Sequence, residues 1–129
     1  MALEVGPTPR VNPASIPASG GGVTVSFSAS AIGKATKLRA EYHIGDQPYV
    51  FEGTADPKVA VGTVETVSTA GDDYPKALRL KKSPPSAPKQ MDVRVRIHIF
   101  EVDSSRVPVK LPSGGTKAPT KRTAVITIE

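Results

Sequence analysis

From Met91 to Ile99 the chain alternates apolar and polar residues without a break. Met91, Val93, Val95, Ile97 and Ile99 fall on one side, with Asp92, Arg94, Arg96 and His98 on the other. A period of two belongs to a β-strand with one buried and one wet face, because successive side chains point to opposite sides of the backbone. The pattern recurs upstream. Val23, Val25, Phe27 and Ala29 alternate with Thr24, Ser26 and Ser28, and Leu38, Ala40, Tyr42 and Ile44 alternate with Lys37, Arg39, Glu41 and His43. Leu78 and Leu80 do the same against Arg79 and Lys81. Shorter stretches complete the set. Tyr49–Phe51 is expected to form a hairpin with the strand before it, across Gly45-Asp46. Val59 to Val67 reads as one strand interrupted at Gly62, or as two. Val107, Val109 and Leu111 suggest a short strand, and Thr123–Ile128 reads as the last. Phe100 and Val102 land on the polar side of the strongest strand, so either something covers that side or a bulge resets the register.

Between these runs the chain turns often. Its 129 residues include 13 Pro and 11 Gly, a density that breaks helices and separates short strands. The length suits one domain, and with three Phe, three Tyr and no Trp the core must be mainly aliphatic and β-branched. Seven to nine short strands with turn signals about every ten residues predict an all-β fold, an antiparallel sandwich. Pro7, Pro9, Pro13 and Pro17 exclude a helix before Gly20-Gly21-Gly22, so residues 1–18 read as a Pro-rich extended arm and 19–129 as a single sandwich domain. The segment Lys81–Lys89 and the segment Pro112–Pro119 read as loops rich in Pro or in Gly and Pro.

The run from Asn12 to Phe27, with its prolines, its glycine turn and its alternating strand, resembles the opening of immunoglobulin-like or fibronectin-III-like modules of the bacterial and phage type. Met91–Asp103 and Thr123–Ile128 are similar to the penultimate and final strands that close such modules. The antibody hallmarks are missing, with no cysteine pair and no Trp at Tyr42. The resemblance implies an immunoglobulin-like β-sandwich; a jelly roll is the structural alternative.

Few residues speak for catalysis. With no cysteine, disulfides, thiolate metal sites and thiol nucleophiles are excluded. His43 and His98 each sit in mid-strand on the outward side, away from any Gly-x-Ser-x-Gly turn, and read as surface imidazoles. Asp46, Asp56, Asp72-Asp73 and Asp103 do not gather in one short loop as a calcium site requires. Gly20–Gly22 opens a strand rather than a helix, so it is no phosphate cradle. No catalytic residue, metal ligand or cofactor site is expected, and the chain reads as a non-enzyme.

Charge is the remaining signal. Residues 1–75 hold five basic and eight acidic side chains (−3), whereas 76–129 hold twelve basic and four acidic ones (+8), which sum to the overall +5. Arg79, Lys81, Arg94, Arg96 and His98 form a candidate basic interaction face, if the strands that carry them are neighbours. Pro7, Pro9, Arg10, Pro13 and Pro17 form a candidate docking arm, whose prolines already restrict the backbone that docking would have to order. The expected role is a non-catalytic structural and interaction module of a phage particle or bacterial surface assembly, with other protein subunits or acidic surfaces as partners. The alternative is a ligand-binding module for carbohydrate or nucleic acid, using the basic C-terminal half. Base recognition usually adds exposed aromatics, for which Phe100 and Tyr49 are the candidates, and this weighs against nucleic acid. No run of about 18 apolar residues suggests a membrane span. No signal sequence is visible after Met1, so a virion or cell-surface location is favoured over the cytoplasm only through the resemblance.

Overall fold

The computed structural model describes residues 2–32, 36–45, 49–82, 91–103, 105, 107–110 and 113–129. Within them the alternating runs become ten strands: β1 (Ala2–Val5), β2 (Arg10–Asn12), β3 (Ser15–Ile16), β4 (Gly20–Ile32), β5 (Thr36–Ile44), β6 (Tyr49–Phe51), β7 (Val59–Val67), β8 (Asp72–Lys82), β9 (Met91–Val102) and β10 (Thr120–Ile128). They form two sheets. In the first, β1 and β2 pair with β4, β8 pairs with β4 as well, and β6 pairs with β8. The second runs β3-β10-β9-β5-β7. All pairs are antiparallel except β3 with β10, where Ser15 and Ile16 run parallel to Thr127 and Ile128. The outcome is the two-layer antiparallel sandwich that the period-two pattern predicts.

From β2 to β9, successive strands alternate between the sheets. That corrects one sequence expectation. Tyr49–Phe51 does not form a hairpin with β5; it pairs with Leu80–Lys82 of β8 in the opposite sheet. All three of its residues are buried, so one short strand fills the end of the sandwich instead of extending the β5 edge. Val59–Val67 is a single strand, with Gly62 directly opposite Ala40. Its irregularity lies further on, where the register shifts between Thr36 and Leu38. Asp72 and Asp73 begin β8. Val107 and Val109 belong to no strand; isolated bridges at Val102–Pro108 and Lys110–Thr116 replace it, and Leu111 lies outside the described residues. So do Asp46 and most of the segment Lys81–Lys89, expected as a loop.

The core lies between the sheets. Val23, Val25, Phe27, Ala29 and Ala31 of β4 face Val93, Val95, Ile97 and Ile99 of β9, Ile126 and Ile128 of β10, and Leu38, Ala40 and Tyr42 of β5. Beyond Ile99 the register of β9 against β5 holds through Val102. Phe100 and Val102 therefore stay on the outward side, and the segment after the strand covers Val102, with Asp103 N donating to Val107 O (2.9 Å) and Val109 N to Glu101 O (2.9 Å). Glu101, on the inward side at the end of the core, meets Lys117 Nζ at 2.5 Å. Covering, not a bulge, resolves Val102, while Phe100 stays half-exposed opposite Arg39.

Residues 2–16, expected to reach outward, fold onto both sheets. The prolines fall between short strands rather than preventing them. Leu3, Val5 and Val11 pack against the core from β1 and β2, and Ile16 is buried from β3. Thr127 N donates to Ala14 O and Glu129 N to Ile16 O, both at 2.9 Å. The turn into β4 depends on Gly20, whose φ of 97° is left-handed and whose Cβ would lie 2.2 Å from Leu80 O. No side chain fits there.

This packing sets a mutational contrast on one strand. Ile97 is fully buried and Arg96 exposed. Ile97→Ala should cost about 2–5 kcal/mol of unfolding free energy, and Arg96→Ala about 0.5 kcal/mol or less. Chemical denaturation of both variants reads the difference; a reversed order would put the register of β9 one residue off.

Candidate interaction face

The outer face of the second sheet follows directly from the same alternation. What the core takes as odd-numbered residues of β9 leaves Arg94, Arg96 and His98 outside. Antiparallel pairing sets His98 opposite Glu41 of β5 on one side and Lys121 of β10 on the other. Arg96 stands between His43 and Thr123, and Phe100 is opposite Arg39. The two imidazoles, far apart in sequence, stack with ring centroids 4.4 Å apart and planes 28° from parallel. His43 Nε2 donates to Glu41 Oε1 at 3.1 Å, and Arg39 Nη2 pairs with Glu41 Oε2 at 3.1 Å. One carboxylate thus sits among Arg39, His43 and His98, with Arg96 and Lys121 on the flanking positions.

Burial lowers the pKa of His98 below its ordinary value, and the neighbouring His43, Lys121 and Arg96 push the same way; Glu41 opposes them. The neutral imidazole is therefore favoured in the fold more than in the unfolded chain.

Of the five residues expected on the basic face, the structure brings three together. Arg79 and Lys81 lie on β8 of the first sheet, pointing away from the buried Leu78 and Leu80. They occupy the opposite outer face of the sandwich, where Arg79 Nε lies 3.4 Å from Glu52 Oε2. Their places beside Arg94, Arg96 and His98 are taken by Arg39, His43 and Lys121. Lys121 and Arg122 belong to β10, which begins three residues before the expected start at Thr123. Arg122 lies on the inward side with Ala124 and ties β1 to the second sheet, donating from Nε to Gly6 O (2.7 Å) and from Nη2 to Val5 O (3.0 Å). Lys89 lies outside the described residues.

Within the expected docking arm, Pro9 is buried and Pro7, Pro13 and Pro17 are exposed. Arg10 pairs with Asp73 on β8. The acidic residues weighed for calcium are engaged in local structure. Asp56 Oδ1 accepts from Lys58 N (2.9 Å), and Asp103 Oδ1 accepts from Ser105 N (2.8 Å) and Val107 N (3.0 Å). Among the described residues no group of three His, Cys, Asp or Glu side chains is placed to hold a metal ion. Tyr49, considered for base stacking, is fully buried and donates to Ala18 O at 3.2 Å. No helix of the described residues is long and apolar enough to cross a membrane.

The His98 shift has a pH signature. Because the unfolded chain binds this proton more readily, stability is complete above about pH 6.5 and declines as pH falls from there through the folded value. His98→Gln should flatten that part of the profile in melts taken from about pH 7.5 to 5. Equal declines in both proteins would contradict the assignment.

No protein-family model matches the chain, and no curated protein matches it in sequence. Among solved structures it is similar to WR4, a member of the MSP family from C. elegans, with a TM-score of 0.50 and 15% identity over 94% of this chain and 99% of that one. At that identity the likeness concerns the fold alone. The fold is an immunoglobulin-like all-β sandwich.

Proposed function

We propose that the chain is a non-catalytic structural and interaction module that meets an acidic protein surface through the outer face of the β3-β10-β9-β5-β7 sheet. The observation that carries this reading is the gathering of Arg39, Arg94, Arg96, His43, His98 and Lys121 on three adjacent strands, with Glu41 among them. A rigid sheet holds these side chains at fixed spacing, so a partner with complementary carboxylates gains register as well as attraction. Strands β1 and β2 form the free edge of the first sheet beyond β4, so the N-terminal segment joins this proposal as a sheet edge carrying exposed Pro7 and Pro13. The setting that suits a cysteine-free sandwich of this kind is a phage particle or a bacterial surface assembly, where such modules act by adhesion to neighbouring subunits.

Retention on immobilised poly-L-glutamate and on single-stranded DNA tests the reading. The wild-type chain should bind polyglutamate and elute as salt rises. Arg94→Glu/Arg96→Glu should lose that retention while melting within a few degrees of wild type, since exposed substitutions change stability by only about 0.5 kcal/mol each. A variant held as firmly as wild type would remove this face as the binding surface. Preferential, steeply salt-dependent retention on DNA would favour the nucleic-acid alternative.

A further inference from the structure

The two sheets do not close on one another everywhere. β7 pairs only with β5, and the β6-side edge of β8 is unpaired among the described residues from Asp72 to Leu78, so two free strand edges face each other along one side of the sandwich. Between them lies a slot of about 300 Å³ lined by Phe27, Tyr42, Val64, Tyr74 and Lys76 under Gly62 of β7. Aromatic and aliphatic side chains make its walls, which is ordinary for the flank of a sandwich. Three further features are not.

The first is Gly62. It sits in mid-strand on the inward side, opposite Ala40, where a side chain would normally enter the core. A Cβ built on it would meet Tyr42 Cε1 at 3.6 Å and Lys76 Cδ at 3.5 Å, which are ordinary contact distances. The glycine therefore leaves space that the fold does not require to be empty.

The second is Lys76. Alternation with the buried Leu78 and Leu80 places it on the inward side of β8, half-buried, at the mouth of the slot. Its stem lies along the slot, a half-buried position in which the ammonium stays within reach of water, and among the described residues no carboxylate pairs with it. Glu52, which lines the adjoining hollow that Lys76 also borders, pairs instead with Arg79.

The third is Tyr42. The residue is 2% exposed, yet its hydroxyl is not among the buried unpartnered atoms: it reaches solvent at the slot, and no hydrogen bond to a described residue engages it. A ligand entering the slot can therefore take this hydroxyl as a donor in place of water. Burial holds this hydroxyl far above its ordinary pKa, so it stays protonated and can donate.

The Tyr42 ring edge and the Lys76 stem approach the same point beneath Gly62, so one ligand can engage both. We propose that this slot binds a small aromatic carboxylate, its ring stacked among Phe27, Tyr42 and Tyr74 and its carboxylate held by the Lys76 ammonium and the Tyr42 hydroxyl. The apolar side chains favour the ring, and two donors on the same lining, neither paired with a described residue, favour an acceptor-only anion. The slot is separate from the basic outer face, so the two proposals stand or fall independently.

Titration of the full chain with 3-phenylpropanoate, followed by amide chemical shifts in two-dimensional NMR, tests it. Saturable shifts should centre on Phe27, Tyr42, Gly62, Tyr74 and Lys76, with a dissociation constant of about 1 mM or below. Replacing the carboxylate by the neutral 3-phenylpropanamide, or Lys76 by Met, should weaken binding about tenfold through loss of the charge-assisted contact. Tyr42→Phe should weaken it several-fold, and Gly62→Leu should abolish it by filling the slot. Gly62→Ala, whose added carbon makes only ordinary contacts, keeps the fold and should still weaken binding by narrowing the slot; unchanged binding in this variant would overturn the proposal even if Gly62→Leu disrupted β7. No saturable shift up to about 10 mM, equal affinity for acid and amide, or shifts confined to the outer face of β9 would overturn the proposal.

Discussion

Apolar contact between the two inner sheet faces is what the rest of the molecule depends on. The chain has no cysteine to cross-link it, and no helix covers either sheet among the described residues. Each fully buried Val, Ile, Leu or Phe contributes about 1.5–3 kcal/mol by leaving water, and such residues line β4, β5, β9 and β10 at every second position. That one requirement sets the register of β9, and the register decides which side chains face outward. The basic face is thus a consequence of the core. Shifting β9 by one residue would bury Arg94 and Arg96 and expose Val95 and Ile97 together.

The N-terminal segment shows how the same contact recruits a piece of chain that looks unfit for it. Four prolines before Gly20 argue against a helix, and they do; they do not argue against strands of two to four residues separated by turns. β1 and β2 lengthen the first sheet, β3 crosses to the second, and Arg122 reaches back to the carbonyls of Val5 and Gly6. One segment therefore borders both layers at once. Its short strands carry too few alternating residues for a period to emerge, and their partners lie more than 100 positions away for β3. The signal that marks β9 so clearly is absent there for a physical reason.

A similar boundary separates what was legible at the candidate sites. Alternation alone placed Arg94, Arg96 and His98 on one side of β9 and placed Arg39, Glu41 and His43 outward on β5. That the two histidines stack is a fact of strand order, which no local pattern encodes. Strand order also parts Arg79 and Lys81 from the others, because β8 belongs to the opposite sheet. Tyr49–Phe51 pairs away from β5 for the same cause: a short apolar run says that it is buried, not against what. Lys76 and Gly62 carried readable hints, an inward lysine in the phase of Leu78 and Leu80 and a glycine within a strand. Their meaning required knowing that β7 and β8 face each other across an open flank.

A single core, organised on β9, holds residues 2–16 as sheet strands and leaves Arg94, Arg96 and His98 on the outward face of β9. Native-state hydrogen exchange, read amide by amide, tests it most directly. The amides of Val93 to Ile99 that pair with β5 and β10 should exchange only through global unfolding, and those of Gly6, Thr127 and Glu129, whose hydrogen bonds tie the N-terminal segment down, should be protected well above free-chain rates. Free-chain exchange at Gly6, Thr127 and Glu129 beside a protected β9 would show that residues 2–16 are a separate arm, and would contradict the account.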